Sequence, residues 1–181
     1  MISNKPDTAL WESYKQGDTE SFGKLFRRYY QPLFQFGSKF SSEQDLLEDC
    51  IQELFVELWQ NKSQTKVQSV KAYLFKAIKY KLFRALQKKS GLALTTIHEE
   101  TGFEFSHETL LISKHDSEEK TARVIAAMQQ LSNRQKEIIY LKFYQELNYE
   151  EVSEIMGINY QVARNLFHQS LKALRKLLSP E

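Results

Sequence analysis

The chain is predicted to be all-α, with two small helical domains joined by a linker. Three observations carry this. Among 181 residues there are only 3 prolines and 6 glycines. The apolar residues mostly recur three and four apart, the spacing of one helix face. Start signals precede the periodic runs: Ser132 with Gln135, and Asn148 with Glu151, each fit a capping box, in which side chain and backbone satisfy one another's hydrogen bonds. Hydrophobic residues at 41% and charged residues at 27% lie in the range of soluble globular proteins.

Taken in order, Asp7 or Thr8 is placed to cap a short first helix that carries Leu10, Trp11 and Tyr14 and stops near Gly17. A second helix starts near Thr19 and buries Phe22, Leu25, Phe26 and Tyr29, with a bend expected near Pro32 before Phe34, Phe36 and Phe40. Ser41 or Ser42 opens the third, whose inward stripe is Leu47, Cys50, Ile51, Leu54 and Leu58, and which ends near Asn61. Cys50 is the single cysteine, so an internal disulfide is excluded and its place on the stripe is a packing place. A polar loop leads into a fourth helix from Val70 to Lys89, with Leu74, Ala77, Ile78, Leu82 and Leu86 facing inward.

At Ser90 the composition changes. Residues 90–116 lack clean periodicity and mix Gly, Thr, Ser and acids, which marks a linker between domains at 1–89 and 117–181. Leu92, Leu94, Ile97, Phe103, Phe105, Leu110 and Leu111 make it too apolar for a free tether, so it is expected to dock. Asp116 with Glu119 fits a further capping box, opening a helix with Val124, Ile125 and Met128 inward. Residues 131–178 then read as three helices. The last two are separated by the tight turn Gly157-Ile158-Asn159, with Gly157 at a left-handed C-cap and Asn159 at an N-cap. That is the layout of a helix-turn-helix.

The last helix is two-faced. Ala163, Phe167, Leu171, Leu174 and Leu178 share one side. Gln161, Arg164, Asn165, His168 and Lys172 share the other, with Arg175 beyond them, and from Asn159 to Pro180 there are four bases and no acid. Arg suits guanine, Gln and Asn suit adenine, and Lys suits phosphate, so this face is predicted to read duplex DNA.

Net charge is only +2, but its distribution is uneven. From Ser41 to Trp59 there are six acids and no base; from Asn61 to Ser90, nine bases and no acid. On the acidic helix Asp45, Asp49, Gln52, Glu53 and Val56 lie away from the core stripe, with Trp59 near the end. An outward carboxylate row beside a large aromatic suits a protein interface. On the basic helix Tyr73, Phe75, Tyr80 and Phe83 interleave with Lys71, Lys76, Lys79, Lys81 and Arg84. Phe75 and Phe83 are read as core. Lys71, Lys76 and Lys79, with Tyr73 and Tyr80, suit a phosphate track with stacked unpaired bases, joined by loop residues Asn61, Lys62, Ser63 and Gln64.

An enzyme is not indicated. His98, His107 and His115 stand among Glu99, Glu100 and Glu104, but their spacings of nine and eight match no metal-ligand signature. No phosphate loop or nucleophile motif is present, so no cofactor or metal is expected. The N-terminal run lacks the apolar core of a signal peptide, and no segment approaches a membrane span, so a cytoplasmic protein is expected.

These surfaces in this order resemble the extracytoplasmic-function group of bacterial sigma factors, the promoter-specificity subunits of RNA polymerase. Asp45-Leu46 through Gln52-Glu53-Leu54-Phe55 to Leu58-Trp59 is similar to the family's D-L-x-Q-E-x-F-x-x-L-W signature, with Glu48 and Asp49 interrupting the spacing. Residues 70–78 are similar to its A-W-L-F-x-I-A segment, with Tyr73 in place of Trp, and residues 131–175 to its long helix-turn-helix motif. The resemblance implies that the acidic helix docks on the clamp helices of the polymerase largest subunit. It implies that the basic helix and preceding loop capture and melt the minus-ten element. The C-terminal domain is then to read the minus-thirty-five element and meet the polymerase flap, with the linker threading between. An anti-sigma factor is a further implied partner. The recognition helix begins Tyr160-Gln161-Val162-Ala163-Arg164-Asn165-Leu166 where the family more often has V-G-T-V-K-S-R, so a promoter sequence does not carry over. The competing reading is a stand-alone helix-turn-helix regulator that binds an operator without polymerase.

Overall fold

A computed structural model describes residues 5–61, 67–91, 101–105 and 118–179, with backbone alone at 118–121. The described elements are helices: α1 (Asp7–Lys15), α2 (Thr19–Gly37), α3 (Gln44–Asn61), α4 (Val70–Ser90), α5 (Glu118–Gln129), α6 (Asn133–Ile139), a π turn (Tyr140–Tyr144), α7 (Tyr149–Met156) and α8 (Tyr160–Leu178). They divide between two compact units, Met1–Thr101 and Gly102–Glu181.

In the first unit α2 and α4 bury apolar stripes against each other and against α1 and α3. The expected stripe of α3 is buried throughout, with Phe55 added to it. Aromatic rings fill the space between helices: Phe36 meets Phe75 at 5.0 Å, and Phe26 meets Phe55 edge-on at 4.9 Å. The Tyr14 hydroxyl donates to the Leu58 carbonyl at 3.1 Å, tying α1 to α3. At Gly37 the helices approach so closely that a Cβ would lie 2.2 Å from a Leu47 methyl.

One expectation changes here. Asp7 does not cap α1; it is the first helical residue, and its carboxylate takes Arg28 and the Tyr29 hydroxyl of α2 instead. Asp18 is the cap that sequence reading passed over. Its carboxylate accepts from the Glu20 N–H at 3.0 Å and the Ser21 hydroxyl at 2.6 Å, and the Ser21 bond leads in holding its pKa below the ordinary value. Pro32, where a bend is expected, lies inside α2, which runs on to Gly37. An interior proline costs about 3 kcal/mol. Leu33 and Phe36, both fully buried beyond it, together contribute about 3–6 kcal/mol, enough to carry the helix through.

In the second unit the local signals act as expected. Both capping boxes close, at Ser132/Gln135 and Asn148/Glu151. Gly157 has φ 63°, and the Asn159 side chain accepts from the Val162 N–H at 2.8 Å. The expected capping box at Asp116 and Glu119 lies outside the residues whose side chains are described. Of that helix's expected inward residues Met128 is buried, joined by Ala127, while Val124 and Ile125 are half-buried. Part of the expected linker docks on this unit. Phe103 and Phe105 are buried, 5.7 and 6.1 Å from the Tyr140 ring, and the Phe103 N–H donates to Asn133 Oδ1 at 3.1 Å. The π turn puts Tyr140 and Tyr144 in a stack at 5.6 Å that receives these rings. Burial raises the Tyr140 phenol to a pKa of about 12.

Candidate nucleic-acid interface

The turn between α7 and α8 sets how α8 is presented. Gly157 reverses the chain in the left-handed region at no steric cost, and Asn159 restarts the helix with a side-chain cap. The six expected reading residues, Gln161, Arg164, Asn165, His168, Lys172 and Arg175, are all exposed. Gln161 Nε2 donates to Asn165 Oδ1 at 3.0 Å, and the Arg164 guanidinium lies 5.9 Å from the Tyr160 ring centre. Among the described residues no carboxylate pairs with Arg164, Lys172, Arg175 or Lys176.

The inner side of α8 differs from expectation. Ala163 is fully buried, but Phe167, Leu171, Leu174 and Leu178 are only half-buried. Ser170 is the second fully buried residue, and its hydroxyl donates to the Leu166 carbonyl at 2.7 Å. A serine that satisfies itself on its own helix can face the core without a partner elsewhere. Its polar identity sets it outside the apolar spacing of the helix.

In the first unit α3 exposes Asp45, Asp49, Gln52, Glu53 and Val56, as its apolar stripe implies. Trp59 is half-buried, its ring 5.0 Å from Phe22. On α4 Phe75 and Phe83 are core. Tyr80 is 52% exposed with the Arg84 guanidinium 5.4 Å from its ring centre. Tyr73 is half-buried, set edge-to-face with Trp11 at 5.4 Å, and burial with the nearby Glu57 charge raises its pKa. Lys76 is exposed. Lys71 lies over Phe75 at 5.9 Å, and Lys79 over Phe40 at 5.4 Å. Asn61 ends α3 exposed, whereas Lys62, Ser63 and Gln64 lie outside the described residues.

The acidic and basic helices are neighbours, and their facing edges pair. Lys81 of α4 reaches Glu57 at 2.6 Å and Glu53 at 3.8 Å, and Lys89 pairs with Glu43. A groove of 1220 Å³ runs between them, floored by Leu46, Cys50 and Ala77 and walled by Asp49, Tyr80 and Arg84. Separations of 24 to 46 residues leave no sequence signal for such pairs. Among the described residues the outer carboxylates Asp45 and Asp49 and the outer base Arg84 take no part in these pairs.

Residues 25–91 match the family model described as Sigma-70 region 2, and residues 121–174 that described as Sigma-70, region 4. The chain belongs to the extracytoplasmic-function group of the sigma-70 family. It is 24% identical over 163 residues to the ECF RNA polymerase sigma factor SigX of Bacillus subtilis, covering 87% of this chain and 83% of that one. To the RNA polymerase sigma factor YlaC of the same organism it is 21% identical over 170 residues, covering 87% and 91%. The fold is similar to that of CnrH, solved in complex with the cytosolic domain of CnrY, at TM-score 0.63 and 18% identity over 95% of this chain and 96% of that one. It is also similar to the sigma factor RpoE from Bartonella quintana, solved with the anti-sigma factor NepR, at TM-score 0.59 and 21% identity over 88% and 98%. An ECF sigma factor binds core RNA polymerase and promoter DNA and directs transcription initiation; the family is non-enzymatic. The region 2 match accounts for the N-terminal half, which a stand-alone regulator would not contain. Among the described residues no helix is long and apolar enough to cross a membrane, and no group of three or more His, Cys, Asp or Glu side chains is placed to hold a metal.

Proposed function

We propose that this sigma factor divides its work among three faces. The exposed α3 face, Asp45, Asp49, Gln52, Glu53 and Val56 with Trp59 beside it, docks on the clamp helices of the polymerase largest subunit. Asn61, Lys62, Ser63 and Gln64 with Lys71, Tyr73, Lys76, Lys79 and Tyr80 hold the parted minus-ten strand. Of the two tyrosines Tyr80 offers the open ring for stacking, and Tyr73 shapes the groove beneath it. Melting is driven by binding: bases captured on the strand-holding face offset lost stacking and pairing. Gln161, Arg164, Asn165, His168, Lys172 and Arg175 read the minus-thirty-five duplex, and the same unit meets the polymerase flap. The protein acts in the cytoplasm, held by an anti-sigma factor until induction, a reading supported by the likeness to RpoE, which was solved with one.

The observation that carries this reading is the exposure of all six residues on α8, a helix whose cations meet no carboxylate among the described residues. Asp49→Arg with Glu53→Arg is expected to abolish association with core polymerase in a pull-down, and undiminished association would remove the α3 assignment. Arg164→Ala is expected to weaken promoter binding by ~1–3 kcal/mol and to relax one upstream position. A uniform loss across sequences would make Arg164 a phosphate contact instead.

A further inference from the structure

The six expected reading residues are all polar, yet the first turn of α8 also presents an apolar side chain. Val162 is 43% exposed. At about 100° per residue it lies roughly 60° around the helix from Asn165, on the same broad face as the hydrogen-bonded Gln161–Asn165 pair. Its position is fixed twice. The backbone N–H is held by the Asn159 cap, and a β-branched side chain in a helix keeps mostly one rotamer.

Among the described residues the other large exposed apolar groups of this unit have different surroundings. Tyr160 meets Tyr149 at 5.7 Å and Arg164 at 5.9 Å. Phe143 meets Phe167 at 5.7 Å. Leu177 lies some four turns further along α8, away from the end that enters a groove. A lone surface valine ordinarily needs no explanation, but this one stands where the N-terminal residues of a reading helix meet base edges. The thymine 5-methyl is the apolar feature that base pairs show in the major groove.

We propose that Val162 reads one thymine of the upstream promoter element through its 5-methyl group. The inference rests on α8 being the duplex reader. It adds an apolar contact to a face otherwise made of amides and cations: the amides address the hydrogen-bonding edges, and Val162 excludes water from a methyl that no polar group can recognise.

The test uses holoenzyme, formed from the full chain and core polymerase, and a promoter duplex that it selects from a random-sequence pool. Each thymine of the upstream element is replaced singly by deoxyuridine, which removes only the methyl. The expected result is one thymine whose replacement weakens binding of the unaltered holoenzyme about fourfold, the size of one buried methyl-scale group. Val162→Ala is expected to bind the thymine duplex more weakly by a similar factor and to be indifferent to that replacement. Val162→Thr, which keeps one γ-methyl, is expected to retain the sensitivity. Equal methyl sensitivity in the unaltered and Val162→Ala proteins, or none at any position, would overturn the inference while leaving α8 as the reader. Failure to select any upstream sequence would remove both.

Discussion

Helices α4 and α8 have similar lengths, 21 and 19 residues, and each carries basic side chains opposite an apolar stripe. α4 buries Val70, Ala72, Leu74, Phe75, Ile78, Leu82 and Phe83 completely, whereas α8 buries Ala163 and Ser170. The charges differ too. Lys81 and Lys89 of α4 pair with carboxylates of α3 or the residue before it, and Lys79 and Arg84 lie over rings. The cations of α8 meet no carboxylate among the described residues. α4 is therefore a structural beam that presents part of its charge outward. α8 buries only two small residues completely, Ala163 near its start and Ser170 midway, and its start is set by Gly157 and Asn159. A helix seated on small residues can keep its long polar side chains for a ligand.

Four perturbations sharpen this contrast. The largest is expected at the strap that completes the second unit. Phe103→Ala removes a buried ring and should destabilise that unit by ~3–5 kcal/mol. Both tryptophans, Trp11 and Trp59, belong to the first unit, so tryptophan fluorescence should hold its transition while hydrogen exchange in peptides from 118–178 speeds up. Loss in both units together would mean that they do not unfold separately.

Next comes Gly37→Ala, which places a methyl into Leu47 at the contact of α2 and α3. Overpacking of this kind costs ~1–3 kcal/mol. Here the tryptophan-detected midpoint should fall and exchange in α8 should not change. An unaltered midpoint would show that Leu47 has room to turn aside.

Alkaline pH should act on the second unit through Tyr140. Its phenol is ordinary in the unfolded chain, near 10.0, and about 12 in the fold, so the native state keeps a proton that the unfolded chain releases. The contribution is complete below pH 10 and is lost as pH rises through about 12. At pH 11 the loss is about 1 kcal/mol. Tyr140→Phe should flatten that dependence in exchange measurements, and an unchanged slope would place the alkaline effect elsewhere. The smallest effect belongs to Lys81→Met. Glu53 and Glu57 are more than half exposed, so screening leaves ~0–1 kcal/mol, fading with added salt. A salt-independent loss of several kcal/mol would mean that the stem of Lys81, not its charge, is what matters.

What was legible in the sequence follows the range of each interaction. The capping boxes at Ser132 and Asn148, the turn at Gly157 and the stripe of α3 are set by residues three or four apart, and the structure places them as read. The exposure of Gln161, Arg164, Asn165, His168, Lys172 and Arg175 follows from the same periodicity. Interactions across the fold were not legible. Nothing local says that Asp7 will leave its helix end for Arg28 and Tyr29, or that burial of Leu33 and Phe36 will carry α2 past Pro32. The π turn at Tyr140 has no periodic signature, and the rings packed on it, Phe103 and Phe105, come from more than thirty residues earlier. Sequence reading asked for such a docking of the linker but could not name the receiving surface.

The division of labour itself is tested most directly by transcription from random-sequence templates with core polymerase, sequencing every start. The account predicts starts that share one upstream element with the unaltered chain, a changed element with Arg164→Ala, and no chain-dependent starts with Asp49→Arg and Glu53→Arg together. Starts that persist in the double variant, or an upstream element indifferent to every substitution on the exposed face of α8, would contradict it.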